Sequence, residues 1–260
     1  MSVAAITLRV LGCSGGIGGR HLRTTAFLVD HDVLIDAGTG VGELSVAELA
    51  AIDHVFLTHA HLDHIAALPL MIDTVADQRR QPLTVHGSAA VLDALRRHVF
   101  NWSIWPDFSV LPSAEAPLLR FQAIEVGQTV TLAGRRFTAL PVDHTVPAVA
   151  YGIDSGAGSL VFSGDTGPCD AFWQAVNGIA NLRYLLVECA FPDGEQALAR
   201  QARHLCPAFL ADGLARLERP CEVYISHLKP GLIETTMDEI ERGLVAFEPR
   251  LLQNNQVFAF

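Results

Sequence analysis

Three histidines and an aspartate, His59, His61, Asp63 and His64, fall within six residues, directly after the wholly apolar run Val55-Phe56-Leu57. A short run of that kind reads as a strand buried on both faces. Side chains at i and i+2 of an extended chain point the same way, so His59 and His61 can reach one point in space. A helix opening at Asp63 reverses the chain and aims Asp63 and His64 at a second point. Imidazole and carboxylate are the ligands expected for zinc, iron or manganese at catalytic sites. A purely structural role for four such residues would leave their common register to chance. The fold is therefore constrained to deliver a buried strand to a metal-binding loop.

Three later residues share that context. His144 follows Ala139 to Val142, Asp165 follows Leu160-Val161-Phe162 through Ser163-Gly164, and His227 follows Val223-Tyr224-Ile225 through Ser226. Sheets gather their strand ends on one rim, so ligands far apart in sequence can converge there. Further strands are expected at Ile6 to Leu11, Ala26 to Val29, Val33 to Ile35, Leu83 to Val85, 120–124, 128–132, 136–142, 148–153, Tyr184 to Val187 and Val257 to Phe260. The spacing predicts helices over Ile65 to Ala76, over Ala89 to Phe100 behind a Ser88 cap, over Pro207 to Leu217 and over Thr236 to Val245. Pro69 would sit in a first turn, where it is tolerated. Asn101 to Pro117 reads as an irregular excursion. With no low-complexity linker or shift in composition, one domain over 1–260 is expected.

Composition narrows the partners. The formal charge is −10, from 18 basic and 28 acidic residues. Arg79-Arg80, Arg96-Arg97 and Arg135-Arg136 are isolated pairs, so a long polyanion such as a nucleic-acid duplex is not the expected partner. Cations in the site would instead suit a small anionic substrate. Five cysteines without a C-x-x-C pair indicate neither a disulfide framework nor a thiolate zinc site. Residues 1–12 lack a targeting pattern and no segment reaches membrane-spanning length, so a cytoplasmic protein without membrane contact is expected.

Order, spacing and context together resemble the metallo-β-lactamase superfamily over nearly the whole chain. That resemblance implies an α/β fold, a four-layer αββα sandwich. It implies two divalent metal ions, zinc foremost with manganese or iron as alternatives. One would be held by His59, His61 and His144, the other by Asp63, His64 and His227, with Asp165 bridging and Asp36 structural. Such ions lower the pKa of bound water to roughly 7, and a pair can also stabilise charge on the attacked group. Asp63 would orient the hydroxide while ligating.

Phe162 to Pro168, Leu186 to Pro192, His204-Leu205-Cys206-Pro207 and Ile225 to Pro230 stand in order in the C-terminal third. Leu11 to Gly16 and Leu34 to Thr39 stand near the start. Together they look like the class II cyclic-nucleotide phosphodiesterases, a branch of the superfamily, although Ala67 and Cys206 replace that branch's usual Gly or Ser and Thr. The resemblance implies hydrolysis of 3′,5′-cyclic nucleotides, cAMP or cGMP, to 5′-monophosphates by a homodimer. A related position in the superfamily's tRNA 3′-processing endonucleases is a catalytic His, which makes His204 a general acid or phosphate donor; a helix cap is the plain alternative. Lys229 reads as a solvated lysine, with a phosphate contact as the sharper option. Trp102, Trp105 and Phe108 read as anchors of the irregular segment, with a base-stacking wall as the alternative. The fold alone also leaves open tRNA 3′-end processing, lactonase or arylsulfatase chemistry, a di-iron reductase and a sensor.

Overall fold

A computed structural model describes residues 5–19 and 21–260; part of the expectation about residues 1–12 therefore lies outside the described residues. Six strands come first, β1 (Thr7–Gly12), β2 (Ala26–Val29), β3 (Val33–Ile35), β4 (His54–Phe56), β5 (Leu83–Gly87) and β6 (Leu119–Ala123). Seven follow, β7 (Thr129–Leu132), β8 (Arg135–Pro141), β9 (Val149–Asp154), β10 (Ser159–Phe162), β11 (Leu182–Glu188), β12 (Glu222–Ser226) and β13 (Arg250–Leu251). The last, β14 (Val257–Ala259), returns to pair with β1. Two seven-stranded sheets result, ordered β14-β1-β2-β3-β4-β5-β6 and β13-β12-β11-β10-β9-β8-β7.

Side-chain alternation assigns each residue to a layer. Phe27, Val33, Ile35 and Phe56 from the first sheet meet Phe137, Tyr151, Leu160 and Phe162 from the second in the central core. The intervening Leu28, Leu34 and Val55 face outward onto α1 (Leu68–Val75) and α2 (Ala89–His98), where Met71, Ile72, Leu92 and Leu95 cover them. Val161, Leu185, Val187 and Ile225 do the same beneath α3 (Asp170–Asn177), α4 (Pro207–Leu214) and α5 (Ile233–Gly243). The layers are helix, sheet, sheet, helix, as the resemblance implies. Phe56 illustrates the central packing: its ring stacks 4.2 Å from His86 and 4.6 Å from Phe137 across the sheets. Truncating so enclosed a ring costs about 3–5 kcal/mol.

The ends of the sandwich differ. β3, β4 and β5 run parallel, as do β10, β11 and β12, so the loops leaving these strands share one rim. At the opposite end Arg135 joins the two sheets, with Nη1 3.0 Å from Asp30 and 2.6 Å from Asp32 on the β2–β3 turn.

Three local expectations change. The helix over Ile65 to Ala76 is two pieces, Leu62–Ile65 and Leu68–Val75. Pro69 is in the first turn of the second piece, and its ring cannot share a continuous helix with the carbonyl four residues earlier, at Ile65. Helices absent from the sequence reading occur at Val46–Ala51, Asp170–Asn177 and Gln196–Ala202. The helices at 207 and 233 run Pro207–Leu214 and Ile233–Gly243. The excursion after the helix Ala89–His98 begins and ends at the Arg135 end, because β6 starts there parallel to β5. Phe108 packs in the outer core 6.1 Å from Phe100, with Trp105 beside it, while Trp102 is exposed. The anchoring role fits this placement; a base-stacking wall over the His59 loop does not.

Candidate metal centre

The His59 loop is shaped by what surrounds Thr58. Asp36, itself at φ 57°, is fully buried and accepts from Thr58 N at 2.7 Å and Thr58 Oγ1 at 2.7 Å. Its Oδ2 lies 2.6 Å from Nδ1 of His64, a hydrogen bond that leaves His64 Nε2 facing the rim. Asp165 enters from the β10 end through Gly164, whose φ is +58° and where a Cβ would meet Thr58 Cγ2 at 3.0 Å. His227, at φ 60°, donates its N–H to Cys13 O at 2.7 Å. A Cβ at Gly15 would fall 2.3 Å from the His227 carbonyl oxygen, so the N-terminal loop can pass only as glycine.

These loops bring all seven expected residues together in two groups: His59, His61, His144 and Asp165, and Asp63, His64, Asp165 and His227. Within each, the potential ligand atoms lie within 4.8 Å of one another. His59 Nε2 is 3.1 Å from His61 Nδ1, and His144 Nε2 is 3.2 Å from the same atom. Asp165 spans the groups, with Oδ2 3.5 Å from His59 Nε2 and Oδ1 3.3 Å from both His64 Nε2 and His227 Nδ1. Asp63 Oδ2 stands 3.8 Å from His64 Nε2 and 3.8 Å from His227 Nε2.

The donor set fits divalent cations on two observations. His64 Nε2, Asp165 Oδ1 and both ring nitrogens of His227 are buried without a hydrogen-bond partner. Burying unsatisfied groups costs about 1–3 kcal/mol each unless something compensates them, and here they converge. Burial also pushes His59, His61, His144 and His227 below the ordinary histidine range, which keeps them neutral with lone pairs available at pH 7. Burial opposes the Asp165 charge too, yet the surrounding imidazoles hold that carboxyl well below its usual value.

His204 stands beside the groups and belongs to neither. Its ring is 5.1 Å from that of His144 and stacks 5.3 Å from that of His227. Its Nδ1 is 2.7 Å from Oε1 of Glu188, a fully buried acid at the end of β11 that also accepts from Thr166 N and Leu205 N. Burial works against charge on His204, but Glu188 outweighs it and raises the imidazole above its ordinary value. Burial likewise raises Glu188. The pair therefore keeps a proton near neutrality. The sequence reading assigned Glu188 no role; its signal was an acid closing the apolar run Tyr184 to Val187 and followed by Cys189-Ala190, a charge buried by context that must have a partner. Lys229 Nζ donates to Gly15 O at 2.8 Å and ties the N-terminal loop to the rim.

Fold and site agree with the family comparison. The chain belongs to the β-lactamase superfamily domain family, whose model matches residues 31–228. It is a metal-dependent hydrolase of the metallo-β-lactamase fold and resembles the phosphodiesterases within that superfamily. A probable 3′,5′-cyclic-nucleotide phosphodiesterase from Yersinia pestis is 27% identical over 88% of this chain and 80% of its own length. A ribonuclease Z from Kineococcus radiotolerans is 30% identical over 62% of this chain and 53% of its own. Among solved structures, unliganded yeast PDE1 superposes with a TM-score of 0.81 at 17% identity, covering 98% of this chain and 99% of that one.

Proposed function

We propose that this protein is a binuclear phosphodiesterase that hydrolyses 3′,5′-cyclic nucleotides, cAMP or cGMP, to 5′-monophosphates. The observation that carries the reading is the paired group sharing Asp165, with the hydrogen-bonded His204–Glu188 pair lying against both halves. We assign one ion to His59, His61 and His144 and the other to Asp63, His64 and His227, with Asp165 common to both and zinc the expected metal. When bound, such a pair supplies activated water near neutral pH and positive charge for the phosphate oxygens.

The protein's own groups do the rest. Asp63, partly exposed, orients the attacking water. His204, held in one orientation by Glu188, gives its proton to the 3′ oxygen as the phosphodiester bond breaks. The resemblance to relatives named as cyclic-nucleotide phosphodiesterases from Yersinia pestis and Aliivibrio fischeri supports the substrate class. We further propose a single domain that works as a homodimer in the cytoplasm. Among the described residues, no helix is long and apolar enough to cross a membrane.

The ribonuclease Z relatives favour a second reading, tRNA 3′-end processing. A net charge of −10 weighs against an RNA track. Steady-state turnover of 3′,5′- and 2′,3′-cyclic nucleotides, with and without chelator, alongside a tRNA precursor, a lactone and an aryl sulfate, tests the assignment. Chelator-sensitive 5′-monophosphate release supports it. Turnover of only the tRNA, lactone or sulfate would replace it.

A further inference from the structure

Arg203 occupies an unusual place between the helix Gln196–Ala202 and His204. It caps that helix in the left-handed conformation, φ 51° and ψ 56°, where a glycine is the usual residue because a Cβ is disfavoured. The turn points its carbonyl oxygen at His144, whose Nδ1 lies 3.0 Å away. A carbonyl oxygen only accepts, so that contact fixes the proton on Nδ1 and leaves Nε2 directed toward His61. The side chain closes the loop in the other direction: Nη1 donates to His144 O at 2.9 Å and to Asp143 Oδ1 at 2.8 Å. The Arg203 backbone also packs on Gly167, where a Cβ would meet its Cα at 3.3 Å, and Gly167 N in turn donates to Asp143 O at 2.7 Å. Ring and backbone of His144 are thus gripped by one residue, from both sides.

We propose that Arg203 is a positioning residue for the ion assigned to His59, His61 and His144: its carbonyl sets the His144 tautomer and its guanidinium holds the His144 main chain in register with that carbonyl. The inference rests on the metal reading above. His64 has the corresponding outer partner in buried Asp36, whereas His144 depends on an arginine whose side chain is half exposed. One position is braced from within the core and the other from the surface.

The test uses the full chain, stripped with chelator and titrated with cobalt(II) by absorption, then with zinc in competition with a chromophoric chelator. Arg203→Ala and Arg203→Gly should weaken uptake of one of the two ions about 10- to 100-fold and leave the other unchanged. Arg203→Lys should restore part of the loss. The glycine variant tolerates the positive φ, so it reports on the guanidinium even if the alanine variant folds poorly. Wild-type uptake of both ions by the alanine and glycine variants overturns the brace, and so does equal weakening of both ions, which would mark a merely structural part. Failure of the wild-type chain to take up any ion would instead refute the metal reading, and the brace with it.

Discussion

The two ends of the sandwich solve the problem of buried charge in opposite ways. At the Arg135 end, the cation meets two carboxylates within hydrogen-bond distance. On the His59 rim, four ring or carboxylate atoms are buried without partners. The first end spends its polar groups on holding the sheets together. The second keeps them unsatisfied so that something else can bind. Residues at the two ends should therefore separate chemistry from stability.

The largest effect is expected at Asp165, the one group common to both ion positions. Asp165→Ala should abolish uptake of at least one ion and lower turnover of bis-p-nitrophenyl phosphate by about 1000-fold or more. His204→Ala should reduce kcat about 100- to 1000-fold with metal content unchanged. The acid form of His204 is present below its raised pKa and lost as pH rises through it. Glu188→Gln removes the group that raises it, so the basic limb of the kcat profile should move to lower pH. An unmoved limb would detach His204 from proton transfer.

At the other end, Arg135→Ala should leave kcat within about twofold while costing roughly 2–4 kcal/mol, seen as a fall of several degrees in melting temperature. A large loss of turnover there would show that the ends are coupled. The smallest effect belongs to His86, between the two ends. Burial, with a lesser push from His54, lowers its pKa to about 4, while the unfolded chain titrates near 6.5. The folded state thus keeps His86 neutral, and its stability contribution is lost as pH falls from about 6.5 toward 4. His86→Leu should flatten that decline by a few degrees in melting temperature between pH 7 and 5.

The rim was more legible in the sequence than the helices around it. His59, His61, Asp63 and His64 announce themselves because metal chemistry needs rare residue types at fixed spacing after a strand. The layered fold was legible only through the family resemblance those residues carry; Ala26 to Val29 and Val33 to Ile35 are wholly apolar, and the structure shows which of their side chains face which layer. Short helices are harder. Val46–Ala51 has no buried residue to give it a periodic stripe, and its true signal was the capping box, in which Ser45 and Glu48 cap each other's backbone N–H. Glu188 and Arg203 escaped for another reason. Their work depends on partners 16 and 59 residues away, and no local pattern encodes a contact at that range.

The edges of the two sheets carry a last consequence. On one side the outermost strands are β14, three residues long, and β13, only two. So little unpaired backbone offers a poor template for a neighbouring molecule to extend the sheet. Association along that side would have to use helix surfaces instead, and runaway strand-to-strand stacking has little to start from there.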